Sequence, residues 1–374
     1  MSEYSTVFGI DSHARSSTVC SLNPSTGESS TRKFPGNDYY AIADWIKSFP
    51  QPSYAVYESG CTGFFPVRTL RELGINADVI AVSRLPRSTQ DNRMKTDRND
   101  ALRIAKAIVS HDAVPVYVPT PEAEALRNLS SAMDDAVGRV QTIKQQILSF
   151  LLMHGILWDE KTPLGARRHN WCYDHKQWLE KIKMDSPSLQ NTLEYYLTTL
   201  DDLESQYKQI EKCAHSAVDV SSLKPVVDSL QLMKGCKFRL ALAFASEIED
   251  FSRFKNARSV SSYFGLVPSQ HSSGNKQASG PLTKTGHSIT RKLAIEGSWS
   301  YARATHNTKK IPKDIEVVSE EIRRHANRGS ERLRKRRAYL IGQGLNKCKA
   351  NAATASELVK WLWVIGSMVQ NMEK

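Results

Sequence analysis

Along the first hundred residues the apolar positions fall into short β-branched or aromatic runs, separated by turns and by stretches with helical spacing. "YSTVFGID" reads as a buried strand, "SSTVCSLNPSTGE" as a second ending in a Pro/Gly turn, and "STRKFPG" can form a third. In "DYYAIADWIKSFP" the spacing becomes helical, with Ile42, Trp45 and Ile46 on one face. "SYAVYES" predicts a fourth strand, "GFFPVRTLRELG" a helix stopped by Gly74, and "ADVIAVS" a fifth strand. A further helix follows in "RMKTDRNDALRIAKAI", residues 93–108.

From about 121 the pattern is helical. Residues 161–188 are irregular, with Pro163, Gly165 and Pro187 as punctuation and with Trp171 and Trp178 expected to make core contacts. Leu189, Leu193, Tyr196, Leu200, Leu203, Tyr207 and Ile210 then alternate steps of four and three, a seam that suits a bundle helix or a two-stranded coiled coil equally. Asp185 or Ser186 can cap that helix, with Pro187 near its first position. After Pro225 come an apolar helical region, the Ser/Gly-rich stretch "GLVPSQHSSGNKQASGPLTKTGH", a helix "SITRKLAIEGSWSYARA" and a basic segment "RGSERLRKRRAY". The order of three strands, helix, strand, helix, strand, helix predicts a mixed sheet with covering helices. That is the ribonuclease-H-like α/β pattern, which actin-like ATPases share. ATP use is disfavoured because the sequence shows no Gly-rich second phosphate loop.

Composition narrows this. With 374 residues the chain exceeds one core, and 40% hydrophobic content supplies several. A net charge of +12 predicts a polyanionic partner, most simply nucleic acid. The six cysteines are scattered without a C-x-x-C pair, which predicts reduced thiols rather than a zinc cluster or disulfide framework. No apolar run reaches the roughly 18 residues of a membrane span, and no signal peptide is visible, so a soluble cytoplasmic protein is expected.

The charge pattern has one local inversion. Asp97 and Asp100 lie at i and i+3 at the start of a helix, about 5–6 Å apart on one face, among Arg84, Arg87, Arg93, Lys95, Arg98, Arg103 and Lys106. Asp11 ends the first strand and Glu58 the fourth. If the four converge, their repulsion needs a cation, and Mg2+ suits hard oxygen ligands while keeping room for phosphate oxygens. Two such ions about 4 Å apart can clamp both oxygens of a phosphodiester under attack. First-turn acids favoured only by the helix dipole are the plainer alternative.

The serine-rich stretch carries Lys276, Lys284, His287, Arg291 and Lys292. It reads as a turn-rich surface loop or as a phosphate-binding loop with a serine nucleophile, whose activation must come from elsewhere. Arg332, Arg334, Lys335, Arg336 and Arg337 form a second basic cluster, either a solvated helix face or a backbone contact that raises general affinity. The histidines show no ligand spacing; His13, near Asp11, can stand behind a metal ligand, with an ordinary surface or core role preferred.

Taken together, "FGIDSHARSSTV", "YAVYESGCTGF", "RMKTDRNDALRIAKAI" and "SYFGLVPSQHSSGNKQASGPLTKTGHSITRKL" resemble the transposases of the IS110 type with the IS1111 group, relatives of the Piv DNA invertases. The resemblance runs over nearly the whole chain in order. It implies a RuvC-like (RNase H fold) domain over 1–150, a helical coiled-coil linker over 151–224, and a mainly α-helical C-terminal transposase domain over 225–374. The family's acidic tetrad falls on Asp11, Glu58, Asp97 and Asp100, and its nucleophilic serine on Ser273, with Ser272 adjacent. The implied activity is Mg2+-dependent DNA strand cleavage and exchange through a covalent 5′-phosphoserine, with Mn2+ as a substitute ion. The implied partners are donor and target DNA, a structured non-coding guide (bridge) RNA, and further copies of the chain in a dimer or tetramer, where one chain's acids can meet another's serine. Nucleic-acid contacts are expected from Arg93, Lys95, Arg98, Lys276, Lys284, His287, Arg291, Lys292 and the 332–337 cluster. The chain departs from the family pattern at "MKGCKF", where Gly235 stands alone in place of a G-x-G turn. A metal-dependent RuvC-like nuclease or junction resolvase is the alternative function, and a catalytically silent nucleic-acid-binding protein the third.

Overall fold

The strand that ends in Asp11 is buried over its whole length, as a central strand covered on both faces must be. The computed structural model describes residues 3–81, 96–112, 114–273, 276–303 and 319–372, with backbone alone at 270–273 and 276–279. Arg93 and Lys95, expected at a nucleic-acid contact, therefore lie outside the described residues, as do Arg84 and Arg87. By packing the chain divides into two units, Met1–Thr120 and Pro121–Lys374.

In the first unit β1 (Thr6–Ser12), β2 (Ser16–Leu22), β3 (Ser29–Pro35), α1 (Tyr39–Lys47), β4 (Ser53–Glu58), α2 (Phe65–Glu72), β5 (Ala77–Ile80) and α3 (Asp97–Val109) follow in the expected order. The sheet order is β3-β2-β1-β4-β5, with β1 antiparallel to β2 and parallel to β4. Alternation assigns the two faces. Phe8, Ile10, Ala55 and Tyr57 join the residues of α1 and α2 in one core, while Val7 and Val56 join Ile104, Ala105 and Ile108 of α3 in another.

Gly9 sits on the α3 face, and a Cβ there would lie 2.0 Å from the Ala101 carbonyl oxygen and 2.5 Å from the Ala105 nitrogen. Only glycine allows the helix backbone to rest directly on β1. Gly9→Ala is expected to destabilise this docking by about 2 kcal/mol or more, within or above the usual overpacking range. Faster hydrogen exchange at the β1 and α3 amides, with the second unit unaffected, would register it.

The second unit comprises α4 (Pro121–Met153), α5 (Tyr173–Lys181), α6 (Pro187–Asp219), α7 (Lys224–Leu230), α8 (Phe238–Ile248), α9 (Ala257–Tyr263), a hairpin of β6 (Pro268–Ser273) and β7 (Lys276–Leu282), α10 (Ser288–Ser298), α11 (Glu320–Gly342) and α12 (Lys347–Met372). Helices α4 and α6 have 33 residues each, about 50 Å. They run antiparallel: Ala123 and Leu126 share a core with Ala214 and Val218, and at the far end Phe150 meets Tyr196 at 5.7 Å between ring centroids. Ser186 caps α6 by accepting from the Leu189 N–H. Because α4 packs along α6 and on α8, the division by packing falls at Thr120.

Beyond the far end of this helical pair, Trp158, Trp171 and Trp178 surround a fully buried His175 at ring distances of 5.2, 5.0 and 5.4 Å. This accounts for the irregular 161–188 segment as a small aromatic lobe on Ile147, Phe150 and Leu193. The apolar region after Pro225 is not one helix: it breaks between α7 and α8, and the intervening Gly235 packs on the carbonyl of Gly297. Helix α8 is buried on every side from Leu240 to Ile248, which makes it the axis of this core. The apolar C-terminal helix α12 packs in the same core. Among the described residues no helix is long and apolar enough to cross a membrane.

Candidate active site

The docking of α3 on β1 brings Asp97 and Asp100 to Asp11. Asp11 lies two residues beyond Gly9, so its side chain shares the α3 face, and it is 7% exposed. Ile10 pairs with Tyr57; the next position on each strand is Asp11 and Glu58, side by side at the ends of parallel neighbours. Asp97 is the first residue of α3, whose N-cap Thr96 accepts from the Asn99 N–H. The sequence placed Asp97 and Asp100 in a first helical turn, and they occupy it.

His13 Nε2 is 3.2 Å from Asp11 Oδ2 and 3.6 Å from Asp97 Oδ1. Asp11, His13 and Asp97 thus offer ligand atoms all within 4.8 Å of one another. Of the two roles open to His13, the geometry favours the one beside the ligands over the ordinary one: the turn after β1 folds it back over the Asp11 carboxylate. Spacing along the chain carries no signal for this contact, because it depends on where β1 ends, at Ser12. Lys33 Nζ reaches Asp97 Oδ2 at 3.5 Å, and Arg103 reaches Asp100 at 3.3 Å.

Burial pushes the Asp11 carboxyl above its ordinary value; His13 opposes this, and the charges of Asp100 and Asp97 add to it. A crowded, poorly solvated group of carboxylates is a donor set that fits a hard divalent cation. The raised value has a definite sign for stability. It favours the protonated folded state, so the contribution is fully present below the ordinary carboxylate value of 3.8 and is lost as pH rises through the raised one. Above that window the ionised cluster costs the folded protein, and a bound divalent cation would relieve that cost. Added Mg2+ or Mn2+ is therefore expected to raise the unfolding temperature at neutral pH and progressively less as pH falls through this window. Thermal unfolding with and without EDTA at several pH values checks it.

In the second unit the serine-rich stretch, read as a loop, is a β-hairpin, with Ser273 pairing with Lys276 across its end. Gly274 and Asn275 between them, and the side chains of Ser272, Ser273 and Lys276, lie outside the described residues. The hairpin's base explains the flanking motif. Gly265 (φ +63°) and Gly286 (φ +69°) adopt left-handed backbone, and a Cβ on Gly286 would lie 1.9 Å from the Tyr263 carbonyl oxygen. His287 caps α10, its Nδ1 accepting from the Thr290 N–H, and burial holds its pKa below the usual value. Arg291 donates to the carbonyls of Thr285 (2.7 Å) and Phe264 (3.2 Å). Beneath lies a buried Glu247, held by Arg127 at 3.4 Å and by the Tyr263 hydroxyl.

The expected nucleic-acid residues thus separate. His287 and Arg291 brace the hairpin, and Lys292 is ion-paired to Asp134 at 2.6 Å, while Lys284 is exposed. On α11, Arg332 and Arg336 share Glu357, and Arg334 and Lys335 share Glu331. Arg337 is 6% exposed, its guanidinium 5.4 Å over the Trp299 ring. It extends the inward stripe of Ile322, Ala326, Ser330 and Leu333, so helical spacing rather than charge decides its place. Arg98 is exposed beside the acids.

A mixed sheet in this order with acids at one strand end is an RNase H-like fold, and comparison with known proteins agrees. Residues 8–155 match the DEDD transposase model of the IS110 type, and residues 227–312 the model of the IS116/IS110/IS902 transposase family. A protein of Sinorhizobium fredii that carries a transposase name, y4qE, is 31% identical over 83% of this chain and 75% of its own length. The transposase of insertion sequence element IS1533 from Leptospira borgpetersenii is 24% identical over 67% of this chain and 72% of its own length. That of IS1111A from Coxiella burnetii is 26% identical over 73% and 72%. Fold and comparisons define a DNA-cleaving, recombining enzyme whose DEDD-type domain points to divalent-cation dependence. The chain belongs to the IS110-type (IS116/IS110/IS902) transposase family.

Proposed function

We propose that this transposase cuts and rejoins DNA with Asp11, Glu58, Asp97 and Asp100 holding Mg2+, for which Mn2+ substitutes, and with Ser273 as the nucleophile. The observation that carries the reading is the convergence of Asp11, His13 and Asp97 where α3 crosses the end of β1. When bound, the divalent ion supplies charge neutralisation and Lewis-acid activation of the phosphate. His13 orients the Asp11 carboxylate. The Ser273 hydroxyl attacks phosphorus and gives up its proton, and the bond to the 3′ oxygen breaks. A 3′ hydroxyl is left on one side and a 5′-phosphoserine on the other. Attack by a 3′ hydroxyl of another strand on the phosphoserine then restores the serine and seals the new junction.

Donor and target DNA are the substrates. We further propose a structured guide RNA as the selector of sequence, a homo-oligomer as the working assembly, a helical coiled-coil linker over residues 151–224, and the cytoplasm as the compartment. The second reading is supported by all four acids belonging to the first unit: hydrolysis by water, with no covalent intermediate.

The test uses full-length protein co-expressed with the non-coding sequence beside its gene, Mg2+, and DNA labelled at its 3′ end. The proposal expects label to stay with the protein under denaturing conditions, and the released upstream strand to be extendable by a polymerase. Metal-dependent cleavage with free label supports water attack, and absence of cleavage under all conditions rejects both.

A further inference from the structure

The acid row does not stop at β1. In the pairing registers Asp11 faces Thr18, and Thr18 faces Lys33. Directly opposed residues share a sheet face, so Glu58, Asp11, Thr18 and Lys33 form one rung across β4, β1, β2 and β3. The next rung carries Thr31 opposite Cys20. Beside these rungs the N-terminal turn of α3 leaves an open groove of about 450 Å³, lined by Thr18, Ser29, Thr31, Lys33, Asp97 and Arg98. That is far more room than the roughly 30 Å³ share of a water molecule.

The groove has the chemistry of a phosphate seat. Lys33 and Arg98 stand at its rim as cations, hydroxyls line its floor, and the helix N-terminus behind it favours an anion. The edge strand β3 is the exposed side of the sheet, so a polymer can run off it without meeting another strand. Lys33 is 63% exposed in its side chain and touches the outermost acid, Asp97, at 3.5 Å. It stands about two strand spacings, close to 10 Å, from Asp11.

We propose that this groove seats the phosphate next to the one that is cut, on the DNA strand entering the acid site, with Lys33 and Arg98 as its cations and Thr18 and Thr31 as its hydroxyl donors. The inference rests on the proposed metal role of the acids, since it gives the groove its direction. Once a divalent ion occupies Asp97, the Lys33 ammonium is released from that carboxylate and turns to the phosphate. Such a contact positions the strand and carries no base preference.

The experiment is a salt titration of DNA binding by the full chain in Ca2+ buffer, with strand integrity verified. A short duplex is compared with one whose phosphate beside the cut is a neutral methylphosphonate. Lys33→Gln is expected to lower the slope of log Kd against log salt by about 0.9, one phosphate contact. Lys33→Arg should restore it, and Thr18→Val should weaken binding about fivefold, the scale of one hydrogen bond. The methylphosphonate should penalise the parent protein and add nothing to the Lys33→Gln variant.

If Lys33→Gln keeps the parent slope, or if the methylphosphonate still penalises the variant, the seat is refuted. Tighter Mn2+ binding alone would then mark Lys33 as a counter-ion of Asp97. Failure of the underlying reading is seen elsewhere: an Asp11→Asn protein that still binds Mn2+ and cleaves DNA rejects the metal role whatever Lys33 does.

Discussion

Asp11→Asn protein is expected to stay folded and to lose metal-dependent strand cleavage by about a hundredfold or more. Asp11 is the most buried of the described acids of the cluster and the one on which the others' charges act. An asparagine keeps the shape and removes the charge proposed to balance a divalent ion. Several kcal/mol of transition-state stabilisation by the ion are then at stake, with each 1.36 kcal/mol a factor of ten. The same change relieves desolvation, so the metal-free variant should unfold at a temperature equal to or above that of the parent at neutral pH. It should also have lost the further rise on adding Mg2+. Retention of full cleavage would remove Asp11 from the metal site. Asp97→Asn should behave alike in cleavage, with a smaller effect on metal-free stability because its side chain is 45% exposed.

The second large effect separates two adjacent hydroxyls. Ser273→Ala is expected to abolish the covalent protein–DNA product and lower recombination by at least about four orders of magnitude, the scale seen when one member of a concerted catalytic set is removed. Ser272→Ala should keep both. Metal binding should be intact in each, since the acids belong to the other unit. Denaturing electrophoresis with end-labelled DNA, followed by mass spectrometry of the DNA-linked peptide, locates the attachment. Adduct formation by Ser273→Ala protein would move the nucleophile elsewhere, and attachment at Ser272 would correct the assignment by one residue.

Much of the first unit is visible in the chain itself. Strands rich in Val, Ile and Phe, a Pro/Gly turn and two amphipathic stretches declare the sheet and its helices, because each signal is local. The convergence of the acids is half visible: Asp11 and Glu58 end strands, and Asp97 and Asp100 open a helix. What brings them together is the contact of Gly9 with Ala101 and Ala105, and a lone glycine in a strand does not announce which helix will lie on it. His13 is visible only as a neighbour of Asp11 for a similar reason, since its contact with Asp97, some eighty positions later, depends on a turn. The hairpin is hidden by composition: serines, glycines and lysines read as loop, although the ladder needs only alternating backbone pairs. The cations of 287–292 and 332–337 are legible as clusters but not in their contacts. Charge density suggests a ligand surface and does not show that Arg291 holds two carbonyls or that Arg337 packs over the Trp299 ring, because capping and helical phase decide direction.

Helix α3 has a double duty. Its Ile104, Ala105 and Ile108 complete one face of the sheet, while its first turn carries Asp97 and Asp100. A polypeptide emerging from the ribosome, or one clipped ahead of this helix, has the five strands but only half the carboxylates, on an uncovered and unstable sheet. If the proposed roles of these acids hold, such a fragment is expected to lack metal-dependent nicking, and the chain gains that chemistry only once α3 has closed on the sheet.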